Sequence, residues 1–269
     1  MSRSTASRPQ LVGPASELEV ATFLAHCRPS ASRRSKGDWY WCRAASEARE
    51  KEQDVDGFRH EAEPLLRDLE RDVEQIELRA PVHGRPSLGI LSRSQRLEQA
   101  RTAFNAKIKR LAHEHGVLTG KWTFYRSDKE IDKLWTKVVR SVMSGALAQT
   151  GVRTAKVSAY LHKNYRSYCI CIYTPDCYDR NSVERVLRAI LEDIRNRPDV
   201  YTHLDITKGH KSGIRSSLYR PADFPSVEVQ ALMSKSSKAK TVKPKTLSEE
   251  IEAGGADGFD EVLSSDEED

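Results

Sequence analysis

The stretch GKWTFYRSDKEIDKLWTKVV, residues 120–139, decides the fold. Trp122, Phe124 and Tyr125 end a strand, and Ser127 with Glu130 three residues on has the spacing of a capping box. Ile131, Leu134, Trp135, Val138, Val139 and Val142 then recur at i, i+3, i+4, i+7, i+8 and i+11, one broad apolar stripe that Gly145 stops. The same offsets return in Val183, Val186, Leu187, Ile190, Leu191 and Ile194, between Asp179 and Pro198. Two equivalent helices imply one shared sheet.

Its strands lie around them. AKVSAYL at 155–161 and YRSYCICIYT at 165–174 read as a hairpin across LysAsnTyr, and two more strands are expected at about 200–206 and 214–219. The order strand, helix, hairpin, helix, hairpin predicts an α+β domain with an antiparallel or mixed sheet and both helices on one face. The aromatic run Trp39, Tyr40, Trp41 would extend that sheet. Upstream, Ser16 and Glu19 cap a short helix that can dock on the core. Between about 45 and 114, two narrow stripes face each other: Leu66, Leu69, Val73 and Ile76 after Pro64, then Leu97, Ala100, Phe104, Ile108 and Leu111. They predict an inserted antiparallel helical hairpin with Glu- and Arg-rich faces in water, Pro64 starting the first helix. The expected organisation is a segment 1–37, a domain 38–229 and a tail 230–269.

Charge is segregated. The net charge of +5 over 269 residues hides a terminus, residues 246–269, with ten acids and no Lys or Arg, so the remainder carries about +15. Lys235, Lys238, Lys240, Lys243 and Lys245 precede it in a Ser- and Lys-rich run, and disorder is expected from about residue 230. Ser264 and Ser265, followed by acids, read as sites for an acidophilic kinase. Such a tail competes with nucleic acid for the basic body or serves solubility. A hydrophobic fraction of 38% suits a water-soluble core with no membrane span, and the amino-terminal residues contain no apolar run of signal-peptide length. A cytoplasmic or nuclear location follows as the expectation, and five cysteines in such a compartment argue against a disulfide framework.

GKWTFYRSDKEIDKLW, AKVSAYL with CICIYTPD, and DVYTHLDI with GIRSSLYR together resemble the family of the basophilic leukaemia expressed protein, over about residues 118–224. The resemblance implies a fold like that of translation initiation factor 4E: a curved, mainly antiparallel sheet, helices on the convex side, and a concave face open to a ligand. It leaves the hairpin and the tail outside. It also implies two sites to look for. A cap site would sandwich guanine between two tryptophans, but Trp39 and Trp41, two apart on one strand, share a face, and Trp122 and Trp135 read as core. A dorsal partner site would place Trp135, in IleAspLysLeuTrp, under a helical motif from another protein; packing inside the stripe is the competing reading.

The densest positive cluster is residues 208–220, where Lys208, His210, Lys211, Arg215 and Arg220 interleave with glycines and Tyr219. Backbone donors, cations and an aromatic face suit phosphate, and Lys156, Lys163 and Arg166 join the cluster if the hairpins adjoin. A solvated basic hairpin is the plain alternative. Cys169, Cys171 and Tyr173 share one strand face, with spacing unlike a zinc site, and read as buried small hydrophobes. No metal and no cofactor are expected, and no HExxH, GxSxG, GxxxxGKS or dinucleotide motif occurs. The leading expectation is therefore a non-enzymatic protein binding RNA or a phosphorylated nucleotide on a basic concave surface. An adaptor using the hairpin and the dorsal helix comes second, an unrecognised enzyme third.

Overall fold

The computed structural model describes residues 9–32, 38–44, 53–160, 167–203 and 217–236. Period-two alternation at the centre builds a seven-stranded mixed sheet from β1 (Gln10–Val12), β2 (Trp39–Arg43), β3 (Gly120–Arg126), β4 (Thr154–Ser158), β5 (Tyr168–Thr174), β6 (Val200–Thr202) and β7 (Ser217–Tyr219). Their order across the sheet is β1-β2-β4-β5-β3-β6-β7. Only β1 runs parallel to its neighbour, and every other pair is antiparallel. The expected hairpin of β4 and β5 is present, and β2 extends the sheet from beyond β4.

One face is sealed by α1 (Glu17–His26), α4 (Asp128–Ser144), α5 (Arg180–Ala189) and α6 (Val227–Lys235). The α4 stripe read from the sequence is buried residue for residue, and Ser141 joins it. Its cap differs in detail, because the Ser127 hydroxyl donates to the Glu130 carboxylate at 3.0 Å and its oxygen accepts no bond from the helix backbone. The second stripe is α5 followed by one π-helical turn, Ile190–Ile194, closed by Arg195 in the left-handed region at φ 52°. Arg126, buried at the end of β3, fastens the chain that follows: its guanidinium reaches Asp199, the Asn196 side chain and the Arg197 carbonyl.

Three expectations need correction. The amino-terminal segment does more than dock its helix on the core: α1 packs on α4 as the sequence allowed, with the capping box of Ser16 and Glu19 as read, and β1, which was not expected, joins the sheet. Asp132 on α4 takes Arg28 Nε at 3.1 Å and the Ser30 amide at 2.9 Å, fixing the entry to that segment. At the other end, residues 230–235 continue a helix where a tail was expected. Ser226 caps α6, and Val229, Leu232 and Met233 supply enough apolar surface to hold it on the core; residues 237–269 lie outside the described residues. Finally, Pro64 starts no helix. It sits on the exposed side of α2 (Val55–Arg79), whose buried side carries Phe58, Ala62, Leu66, Leu69 and Val73.

The helix α2 pairs with α3 (Arg93–Glu114) as the expected hairpin, with a hydrophobic core of its own. Its base is clamped by His115, whose ring nitrogens meet the Asp54 and Glu61 carboxylates at 2.8 and 3.1 Å. The hydrogen bond that His115 donates to Asp54 holds the His115 pKa above its ordinary value, and Asp54 is lowered by the Gly57 amide and by His115. Among the described residues no helix is long and apolar enough to cross a membrane.

Trp135 is 1% exposed, with Phe23 of α1 tilted against it at 6.5 Å between ring centroids. The position expected to receive a partner is thus filled by this chain's own helix. Trp135→Ala should lower the free energy of unfolding by about 3–5 kcal/mol in urea melts. A variant as stable as the parent would show that this indole is not core.

Candidate functional site

Alternation that sends Tyr40, Cys42, Ala155, Val157, Ile170, Ile172, Trp122 and Phe124 under the helices sends their neighbours to the reverse face. There β2 contributes Trp39 and Trp41, β4 contributes Lys156, β5 contributes Cys169, Cys171 and Tyr173, and β3 contributes Lys121, Thr123 and Tyr125. Register assembles them: Trp41 stands opposite Lys156, Lys156 opposite Cys171, and Cys171 opposite Thr123. Four strands distant in sequence meet in one row.

Lys156 is the centre of this cluster. Its Nζ lies 4.3 Å from the Trp39 ring centroid, 4.6 Å from Trp41 and 5.6 Å from Tyr173, and only 4% of the residue is exposed. Trp41 and Tyr173 stack with 12° between their planes and 6.2 Å between centroids. Both are buried, and the Trp41 Nε1 and Tyr173 hydroxyl have no hydrogen-bond partner. Two buried donors thus lie beside a cation, a group of polar atoms that an acceptor would satisfy. Around it the face is more accessible: Trp39, Arg43, Lys121 and Cys169 are half-buried, and Tyr125 is 44% exposed.

The two thiols are coupled to that charge. Cys169 Sγ and Cys171 Sγ are 3.8 Å apart. The hydrogen bond from Cys169, and then the positive charge of Lys121 and Lys156, favour the Cys171 thiolate against its burial, taking its pKa down to about 6. The partner pays in the opposite direction, and the Cys169 thiol is pushed up by sharing that bond and by burial. Of the two sulfurs, Cys171 is the one whose thiolate form its surroundings favour. The Tyr173 hydroxyl is raised by burial and by these sulfurs, so it stays a donor. Among the described residues no group of three or more His, Cys, Asp or Glu could hold a metal.

Lys156 does not meet the 208–220 cluster through its described end. Tyr219 lies on β7, four strand positions away, a separation of about 19 Å. It also faces the other side of the sheet, pairing with Tyr201 and packing against Phe224 in the helix-covered core. Arg220 is exposed just beyond it, its amide held by Asp223 at 2.7 Å. Arg166, Lys163, Lys208, His210, Lys211 and Arg215 lie outside the described residues, as do Ser264 and Ser265. Neither Lys121 nor the orphaned donors of Trp41 and Tyr173 were singled out by sequence, although the alternation in CysIleCysIleTyr already gave Tyr173 its face.

These elements define an α+β protein with a seven-stranded mixed sheet, helices over one face, and an aromatic and cationic cluster on the other. The chain matches the family described as basophilic leukemia-expressed protein Bles03 over residues 7–205, and it belongs to that family. The match includes the helical hairpin, which the sequence resemblance had left outside, and ends before β7 and α6.

The cluster carries a sign that can be checked. Lys156→Gln removes a positive charge that favours the thiolate, so thiol reactivity should need higher pH than in the parent. Alkylation rates of Cys169 and Cys171 across pH 5–9 measure this; an unshifted profile would detach the lysine from the thiols.

Proposed function

We propose that this is a binding protein that takes RNA or a phosphorylated nucleotide on the reverse face of its sheet. The observation that carries the reading is the pair of buried donors, Trp41 Nε1 and Tyr173 hydroxyl, orphaned beside Lys156. A phosphate oxygen satisfies such donors and a cation together. Trp39 and Tyr125, on the accessible part of the same face, offer rings for bases to stack on, as aromatic side chains on open sheets do for single-stranded RNA. The fold that the sequence resemblance implies, like that of initiation factor 4E with a concave sheet face for its ligand, supports the same choice. Arg166 and the cations of 208–215 join this reading through sequence alone, and Arg220 stands at the far edge. Nothing in the cluster requires a cofactor.

Titrating a short oligoribonucleotide against intrinsic tryptophan fluorescence tests it. Trp39→Ala should weaken binding by about 1–3 kcal/mol, roughly five- to 150-fold. Affinity should also fall linearly on logarithmic axes as salt rises, because phosphate contacts release counterions. A methylguanosine cap analogue and inorganic phosphate run alongside separate base from phosphate recognition. Binding indifferent to both salt and Trp39 would sink the proposal.

A second reading, an adaptor, has its own support at the hairpin tip. Leu78, Val82 and Leu88 are 71%, 62% and 66% exposed there, and Ile90 is 37% exposed. The turn presenting them is rigidly built. Arg85 and Ile90 exchange backbone hydrogen bonds at 2.8 and 3.1 Å, Gly89 supplies φ +67°, and the Arg93 guanidinium grips the Ala80 carbonyl. Apolar side chains on an ordered turn are a protein-docking chemistry. A photocrosslinking residue at position 88 should capture one protein reproducibly, and Val82→Asp with Ile90→Asp should abolish the capture. Equal capture from an exposed position midway along α3 would make the tip incidental.

A further inference from the structure

The geometry points to Cys169 and Cys171 as a reversible oxidation site, a dithiol that a peroxide converts to an intrastrand disulfide. Their sulfurs are already 3.8 Å apart on one side of β5. Alternate residues of a strand are separated by about 6.6 Å at Cα with their side chains parallel, so their Cβ atoms also stand wider than the roughly 4 Å a disulfide needs, and closing the bond requires the strand to pucker at one cysteine. The backbone at Cys169 is also less constrained than at Cys171. Pairing of β5 with β4 ends at Ile170, and the Cys169 amide bonds the Ser158 hydroxyl at 3.0 Å. Closure can therefore draw on the Cys169 end.

The chemistry balances within the pair. A thiolate of the dithiol attacks the peroxide O–O bond, giving a sulfenic acid and hydroxide; the second thiol then attacks the sulfenic sulfur and expels water. Two thiols and one hydrogen peroxide become a disulfide and two waters, with the sulfurs losing two electrons to the peroxide. Peroxide reaches the pair at Cys169, which is half-buried while Cys171 is 3% exposed; because the thiolate is favoured at Cys171, the proton shared across the 3.8 Å contact passes to the Cys171 sulfur as Cys169 attacks. Lys121 and Lys156 supply the positive surroundings that keep a thiolate available. The other three cysteines differ. Cys27, Cys42 and Cys177 are buried, and burial pushes the Cys42 thiol up to about 12 and raises Cys177 further. A bond near the long limit of Cα separation is readily reduced, which suits a reversible site. The inference stands apart from the binding proposal, since it needs the sulfurs and the lysines and no ligand.

The test treats the full chain with substoichiometric hydrogen peroxide, unfolds it in an alkylating reagent, and maps cysteines by mass spectrometry. Cys169 and Cys171 should escape alkylation together, linked with the loss of two hydrogens, while Cys27, Cys42 and Cys177 are alkylated; dithiothreitol should restore both. Lys156→Gln, which keeps both thiols, should slow the reaction about three- to tenfold at neutral pH. In Cys171→Ser, confirmed folded by circular dichroism, Cys169 should pass to sulfinic acid with no link. Cys169 reaching sulfinic acid in the parent, or oxidation no faster than at Cys42, would overturn the assignment.

Discussion

Strand alternation is the constraint on which the rest of this molecule depends. Along β3, β4 and β5 every second side chain enters the core beneath α4 and α5, and the intervening ones meet on the reverse face. A one-residue slip in β4 would put Lys156 among Ile170, Ile172 and Val138 and move Ala155 and Val157 outward. Burial of the α4 stripe therefore does two jobs. It stabilises the domain, and it forces Lys156, Cys171 and Trp41 into a row that local preference would never assemble.

How much of this was legible in the sequence follows from the range of the interactions. The α4 and α5 stripes, the capping residues Ser16 and Asp179 and the α2/α3 hairpin are local patterns, and each was readable from spacing alone. The α4 helix cap was not, since the spacing of Ser127 and Glu130 fits a capping box whether the hydroxyl turns to the backbone or to the carboxylate. Longer-range facts escaped. Lys156 was singled out for its charge and placed with residues 208–220, because strand order decides neighbours and β4 lies between β2 and β5. Tyr219 was assigned to the same surface, yet its partnership with Tyr201 turns it toward the core. Trp39 and Trp41 were correctly put on one face, but the ring that stacks on Trp41 comes from β5, more than a hundred residues away.

Helix α6 illustrates a different limit. Composition around Lys235, Lys238 and Lys240 is that of a tail, and a window average spreads this signal backward over Val229, Leu232 and Met233. Those three side chains suffice because they meet a surface already made by α5 and the π-helical turn. A short helix that is marginal alone is stabilised by packing on a preformed face.

The position of Lys156 bears on whether the reverse face is a structural or a functional arrangement. Withdrawing an ammonium from water costs several kcal/mol, and a cation over a desolvated aromatic ring recovers about 2 kcal/mol. Three rings offset much of the cost, yet stacking Trp41 on Tyr173 around an apolar residue would stabilise the sheet without incurring it. The same holds for the orphaned Trp41 and Tyr173 donors, which Phe at either position would remove. Buried donors without partners also occur elsewhere, Trp135 Nε1 in the helix-covered core among them; what sets this place apart is that two of them lie side by side with a buried lysine and a thiol pair. The helix-covered face, with Trp122, Trp135 and Tyr201 fully buried among aliphatic and aromatic side chains, carries the stability of the domain.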